Sequence, residues 1–162
     1  MAERPNATAC KAVTPRVRIT PGAPILKGRD MKVKMYCIFA LESVKKMNGI
    51  RGKMCTQAGH AYLHSFWDSV KRFPGEHGFA IDEPSDAEKY QNGDRAYKIT
   101  LIVDTVEELK ALQEKYKDIC GTSLVTDAGF TVFDEPTTTC LGLGPILEDN
   151  VGDDIKALKT FT

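Results

Sequence analysis

Hydrophobic periodicity alternates along this chain between the two-residue repeat of a strand and the 3.6-residue repeat of a helix, and the order of that alternation leaves few folds open. Lys32 to Leu41 is an almost unbroken apolar run, the pattern of a buried strand. A Lys- and Gly-containing loop follows. The longest helical stretch then opens at Arg51-Gly52 and runs to about Arg72, where Phe73-Pro74-Gly75 stops it. Pro74 to Asp94 reads as a long connection in which Ser85 caps a short helix to about Gln91, ahead of an Asn92-Gly93 turn. Ala96 to Val103 alternates and is apolar, as a central strand would be. Thr105 with Glu108 forms a capping box for a helix to about Lys117. Thr122 to Val125 and Thr139 to Leu143 supply the third and fourth strands, before a last short helix near Asp153 to Leu158.

Strand, helix, strand, helix, strand, strand predicts an α/β three-layer sandwich, a four-stranded mixed sheet with helices on both faces. With 162 residues, 42% of them hydrophobic, the chain has material for one domain with its own core and not for two. Residues 1–30 contain Pro5, Pro15, Pro21 and Pro24 among basic residues and lack apolar periodicity. They read as a flexible basic extension, leaving 31–162 as the domain. An organellar transit peptide is the rival reading of that stretch, weakened by its prolines and lack of Ser, and Met31 is an alternative start.

Five cysteines, Cys10, Cys37, Cys55, Cys120 and Cys140, are odd in number and show no CxxC, which points to reduced thiols and a cytoplasmic protein. No run of eighteen apolar residues exists, so no membrane partner is expected. The charge is balanced at 22 basic and 22 acidic residues but unevenly placed: residues 1–72 carry 14 Lys plus Arg against 4 Asp plus Glu, and the remainder 8 against 18. A polyanion would meet the front part, although neutrality overall argues against strong nonspecific duplex binding.

Two segments carry chemistry. Asp127-Ala128-Gly129-Phe130-Thr131 follows a strand-like run with a tight-turn signal, and Thr139 lies eight residues beyond Thr131, so one carboxylate and two hydroxyls gather around a turn. A plain Asx-turn, with Asp127 bonding its own downstream backbone, explains the same residues without function. In the long helix, Lys53, Gln57 and His60 fall at i, i+4 and i+7 and project from one face of the first two turns. A lysine there opposes the positive end of the helix dipole, a conflict of up to about 1 kcal/mol that an anionic partner would relieve. Gly52-Lys53 is not a P-loop, because the earlier glycine position is Met47 and Met54 follows the lysine. His60 and His64 share a helix face but have no third ligand in the sequence, so no metal is expected.

Together these segments resemble the type-II peptidyl-tRNA hydrolases, which cleave the ester joining a stranded peptide to its tRNA. The resemblance spans roughly Lys32 to Phe161. Gly52-Lys53, Gln57 and His60-Ala61 match the family's helix motif, and Asp127-Ala128-Gly129, Thr131, Thr139 and Leu141 to Pro145 match its second motif. Three positions depart. The family's Arg-x-Asp-Leu ending the first strand is replaced within Ile38 to Val44, its Met four residues before the lysine is Gly49, and its Gln after the first motif Thr is Val132.

The resemblance implies metal-independent hydrolysis of peptidyl-tRNA without a cofactor, on a four-stranded mixed sheet, with a homodimer as a frequent assembly. On it Lys53, Asp127, Thr131 and Thr139 are the expected catalytic residues. Asp127 and a threonine would hold the water, and Lys53 would face the developing oxyanion. Gln57 and His60 are expected to bind substrate or to support Lys53, and Lys45, Lys46 and Arg51 to bind substrate, with Lys71 and Arg72 as further phosphate candidates. The departures favour as an alternative a non-catalytic homologue serving as an RNA- or protein-binding adaptor. A third reading, an esterase or amidase for another acyl substrate, needs no basic footprint.

Overall fold

The computed structural model describes residues 32–72, 85–93 and 96–162. The expected 1–30 extension, the Phe73-Pro74-Gly75 stop and most of the Pro74 to Asp94 connection lie outside the described residues. In chain order the elements are β1 (Val33–Ala40), α1 (Leu41–Lys46), α2 (Arg51–Arg72), α3 (Asp86–Asn92), β2 (Tyr97–Val103), α4 (Val106–Tyr116), β3 (Thr122–Asp127) and β4 (Thr137–Leu147). A 3₁₀ turn (Glu148–Asn150), α5 (Asp153–Lys156) and β5 (Lys159–Thr160) close the chain. No helix among the described residues is long and apolar enough to cross a membrane.

The sheet has the order β3-β4-β1-β2-β5, with β1 parallel to β2 and the other neighbours antiparallel. It is therefore five-stranded, not four-stranded. The extra strand is two residues long, too short to show any period, and is held by pairing with Leu101 and Ile102 and by Phe161 N–H donating to Thr100 O at 3.0 Å. The middle of the sheet belongs to β1, and β2 is also internal, lying between β1 and β5.

The predicted Ser85 cap and Thr105 capping box are both present, and Ser85 too forms a full box. Ser85 and Thr105 accept from the N–H groups of Glu88 and Glu108, whose carboxylates return to the cap N–H groups. The stretch after β1, expected to be loop, is mostly the six-residue α1; it is too short to carry helical periodicity and ends where Asn48 and Gly49 take positive φ. Glu42 in it accepts from Val106 N–H at 2.7 Å and so anchors the start of α4.

Alternation along β1 divides the core. Tyr36, Ile38 and Ala40 join Leu109, Tyr116, Leu141 and Leu143, while Cys37 and Phe39 join Met47, Ala61, Val125 and Cys140. Against the second group lies α2, and its buried face is small or polar: Gln57, Ala61, Ser65 and Ser69, one every four residues. Such a face suits close approach. A Cβ added at Gly142 on β4 would stand 2.0 Å from the Ala61 carbonyl oxygen, and one at Gly121, just before β3, 2.0 Å from that of Ser65. The glycines let α2 sit down on the strands that carry the site.

Trp67 lies off this inward face. Two residues past Ser65, it points away from the sheet and is half exposed, whereas Phe66 reaches the Met35 and Tyr90 cluster. Gly142→Ala is expected to lower unfolding free energy by about 1–3 kcal/mol through overpacking, read as a lower urea midpoint at unchanged m-value. A midpoint equal to wild type would show that α2 retreats freely.

Candidate active site

Since β1 and β3 are each antiparallel to β4, they run in the same direction and end at one edge of the sheet. Ala40 ends β1 there, and the chain returns through α1 to start α2 at the same edge. Asp127 is the last residue of β3, not the first of the following loop, because β3 runs two residues further than its apolar pattern and pairs Thr126 and Asp127 with Thr138 and Thr137 across a register shift. The carboxylate is thus fixed to the sheet and is buried.

Lys53, in the first turn of α2, forms an ion pair with Asp127 Oδ2. The first turn of α2 contains no acid, so Asp127 supplies across the fold the negative charge the helix start lacks. Lys53 Nζ also donates to Thr131 Oγ1 at 3.3 Å. One turn on, Gln57 Nε2 donates to Asp127 Oδ2 at 2.7 Å, and Gln57 Oε1 accepts from the Thr139 hydroxyl at 3.0 Å. A carboxylate only accepts, so the amide orientation follows from its partners. Thr139 Oγ1 also stands 3.1 Å from Val125 O and is fully buried.

Asp127 Oδ1 accepts from Gly129 N–H at 3.0 Å. The Asx-turn and the ion pair therefore coexist, one on each oxygen. Burial pushes the Asp127 carboxyl up, but the Lys53 ammonium, the Gly129 N–H and the Gln57 amide outweigh it and hold it below the ordinary carboxylate range. It is a carboxylate at neutral pH.

The two expected hydroxyls do not meet at Asp127. Thr131, exposed, meets Lys53, and Thr139 reaches Asp127 only through Gln57. His60 lines, with His64, a cavity of about 430 Å³ whose lining also includes Gln57 and Asp127. Among the described residues no group of three His, Cys, Asp or Glu gathers into a metal-ligand set. Lys45 and Lys46 end α1 and Arg51 begins α2, all exposed and without an ion pair among the described residues.

Lys71 and Arg72 are not at the site, because about 28 Å of helix separates Lys53 from Arg72. Arg72 instead pairs with Asp68 and donates to Cys120 O at 3.2 Å, tying the end of α2 to the start of β3. Sequence reasoning missed Ser43, whose hydroxyl donates to Thr138 O at 2.7 Å and braces α1 against β4 beside Thr139. No periodic signal marks a lone buried serine in a six-residue helix.

A family model described as peptidyl-tRNA hydrolase PTH2 matches residues 37–161. The chain is similar to the peptidyl-tRNA hydrolase of Methanopyrus kandleri, at 34% identity over 113 residues, covering 67% of this chain and 87% of that one. It is also similar to the peptidyl-tRNA hydrolase of Methanococcus vannielii, at 29% identity over 110 residues, covering 67% and 85%.

Proposed function

Since the chain belongs to the PTH2 family of peptidyl-tRNA hydrolases, we propose that it hydrolyses the ester between a peptide and the terminal ribose of tRNA, in the cytoplasm, using its own side chains and no metal. The observation that carries this reading is the chain of contacts from Lys53 through Asp127 and Gln57 to Thr139, a charged pair fixed at a sheet edge by a buried amide and hydroxyl. A fold alone has little use for it, since a buried ion pair is weak evidence for stability.

The atoms suit acyl transfer to water. A carboxylate offers about four acceptor positions, and Gly129 N–H, Gln57 and Lys53 take three, so Asp127 retains one for a water molecule and is poorly free to ligate a metal. The water oxygen adds to the acyl carbon, and charge builds on the former carbonyl oxygen, where the Lys53 ammonium stabilises it. The bond to the ribose oxygen then breaks, and the proton lost by the water ends on that oxygen. Because Asp127 is held ionised, it orients the water more than it stores a proton, and the exposed Thr131 hydroxyl beside Lys53 is the relay. Thr139, buried behind Gln57, positions the amide and does not touch the water. Apolar clusters on opposite faces of β1 support a three-layer arrangement, with α2 and α4 outside and the carboxyl edge free for substrate. Lys45, Lys46 and Arg51 at that edge would hold phosphates of the acceptor end.

The purified protein incubated with N-blocked aminoacyl-tRNA should release many equivalents of tRNA per enzyme, equally with and without chelator. A folded protein giving no turnover would support the adaptor reading, and turnover abolished by chelator would overturn the metal-free mechanism.

A further inference from the structure

The cavity beside the ion pair has one wall that the fold does not require. His60 and His64, successive turns of α2, stack with ring centroids 5.5 Å apart and planes inclined by 27°. Both are exposed, and neither imidazole makes a hydrogen bond among the described residues. They line the same cavity as Leu124, Val125 and Thr126 of β3, together with Gln57 and Asp127. Its volume of about 430 Å³ lies in the range of small-ligand sites.

We propose that this cavity seats the nucleobase of the esterified terminal nucleoside, with the His60–His64 stack as its platform and His64 as a binding residue for the reaction. The inference rests on the hydrolase reading above. In a peptidyl-tRNA the acyl part varies and the terminal nucleoside does not, so an aromatic surface beside the reaction centre suits the constant part. A base presents a flat π face and a polar edge. The cavity offers both: imidazole rings from the helix, Leu124, Val125 and Thr126 from the strand, and the polar groups of Gln57 and Asp127, beside which the ribose ester must lie. Stacking of this kind is tolerant of sequence and favours splayed, single-stranded ends. A more apolar cavity lies between α2 and α3, lined by Met35, Leu63, Phe66 and Tyr90, but neither Gln57 nor Asp127 is part of it.

The test pairs enzyme variants with two substrates, N-blocked aminoacyl-tRNA and the same molecule with an abasic terminal ribose. On the intact substrate His64→Ala should raise KM between about fivefold and a hundredfold with a smaller change in kcat, the size of one lost base stack. His64→Phe should restore KM to within about threefold of wild type. On the abasic substrate wild type should show a similar rise, and His64→Ala should add nothing further, since the partner of the stack is already gone. An unchanged KM in His64→Ala, no rescue by phenylalanine, or losses that add on the abasic substrate would each overturn the assignment. Failure of wild type to release tRNA from the intact substrate would instead overturn the hydrolase reading, which keeps the two failures apart.

Discussion

Lys53→Ala is expected to reduce kcat about 10²- to 10³-fold, the cost of losing one donor to a developing oxyanion, or about 2.7–4 kcal/mol of barrier. The reasoning begins with a lysine in the first turn of a helix that contains no acid there, where the dipole disfavours it by up to about 1 kcal/mol. Asp127 offsets that cost from the end of β3. A surface lysine placed for solubility would not be so placed, whereas a cation that must face negative charge forming beside a strand end would. Lys53→Arg keeps the charge but spreads it over a planar fork, so it should retain more activity than alanine without reaching wild type. The measurement is single-turnover release of tRNA, with a urea midpoint for each variant to show that Asp127 left without its cation has not unfolded the protein. An alanine variant within about twofold of wild type would remove Lys53 from the mechanism.

How far the sequence predicts this site depends on whether the information is local. The cap at Ser85 and the capping box at Thr105 are written in neighbouring residues, and both formed. The one-face spacing of Lys53, Gln57 and His60 is a property of a single helix, and Asp127 does meet the first two. What could not be read were distances across the fold. Two threonines near one aspartate in sequence suggest that both hydroxyls reach it, but Thr131 follows a turn and swings to Lys53, whereas Thr139 is part of β4 and faces the amide beneath. Lys71 and Arg72 shared a basic segment with Lys53 yet lie at the other end of α2. Likewise, β5 has two residues and no period, and its existence depends on the exposed edge of β2. The small buried face of α2 was visible as Ala61, Ser65 and Ser69 only in hindsight, because its partners, Gly121 and Gly142, are more than fifty residues away.

Gln57→Leu should lower kcat/KM by roughly 10- to 100-fold, because the buried amide donates to an ionised carboxylate and such bonds contribute about 1.5–3 kcal/mol. Leucine fills the space but leaves Asp127 with two of its three donors, Lys53 and Gly129 N–H, and a carboxylate free to swing no longer presents its remaining acceptor position to a water. Thr139 governs the same atom at one remove. By donating to Gln57 Oε1 it keeps Nε2 aimed at Asp127, since the flipped amide would set oxygen against oxygen. Thr139→Val should therefore cost less than Gln57→Leu, its hydroxyl having Val125 O as a second neighbour in the wild type and the valine being close in shape. The decisive comparison is the double variant. If Thr139 acts only through Gln57, the pair should lose no more activity than Gln57→Leu alone, giving a coupling close to the whole effect of Thr139→Val. Losses that add would place the Thr139 hydroxyl in direct contact with the reacting groups, which its full burial behind the amide argues against.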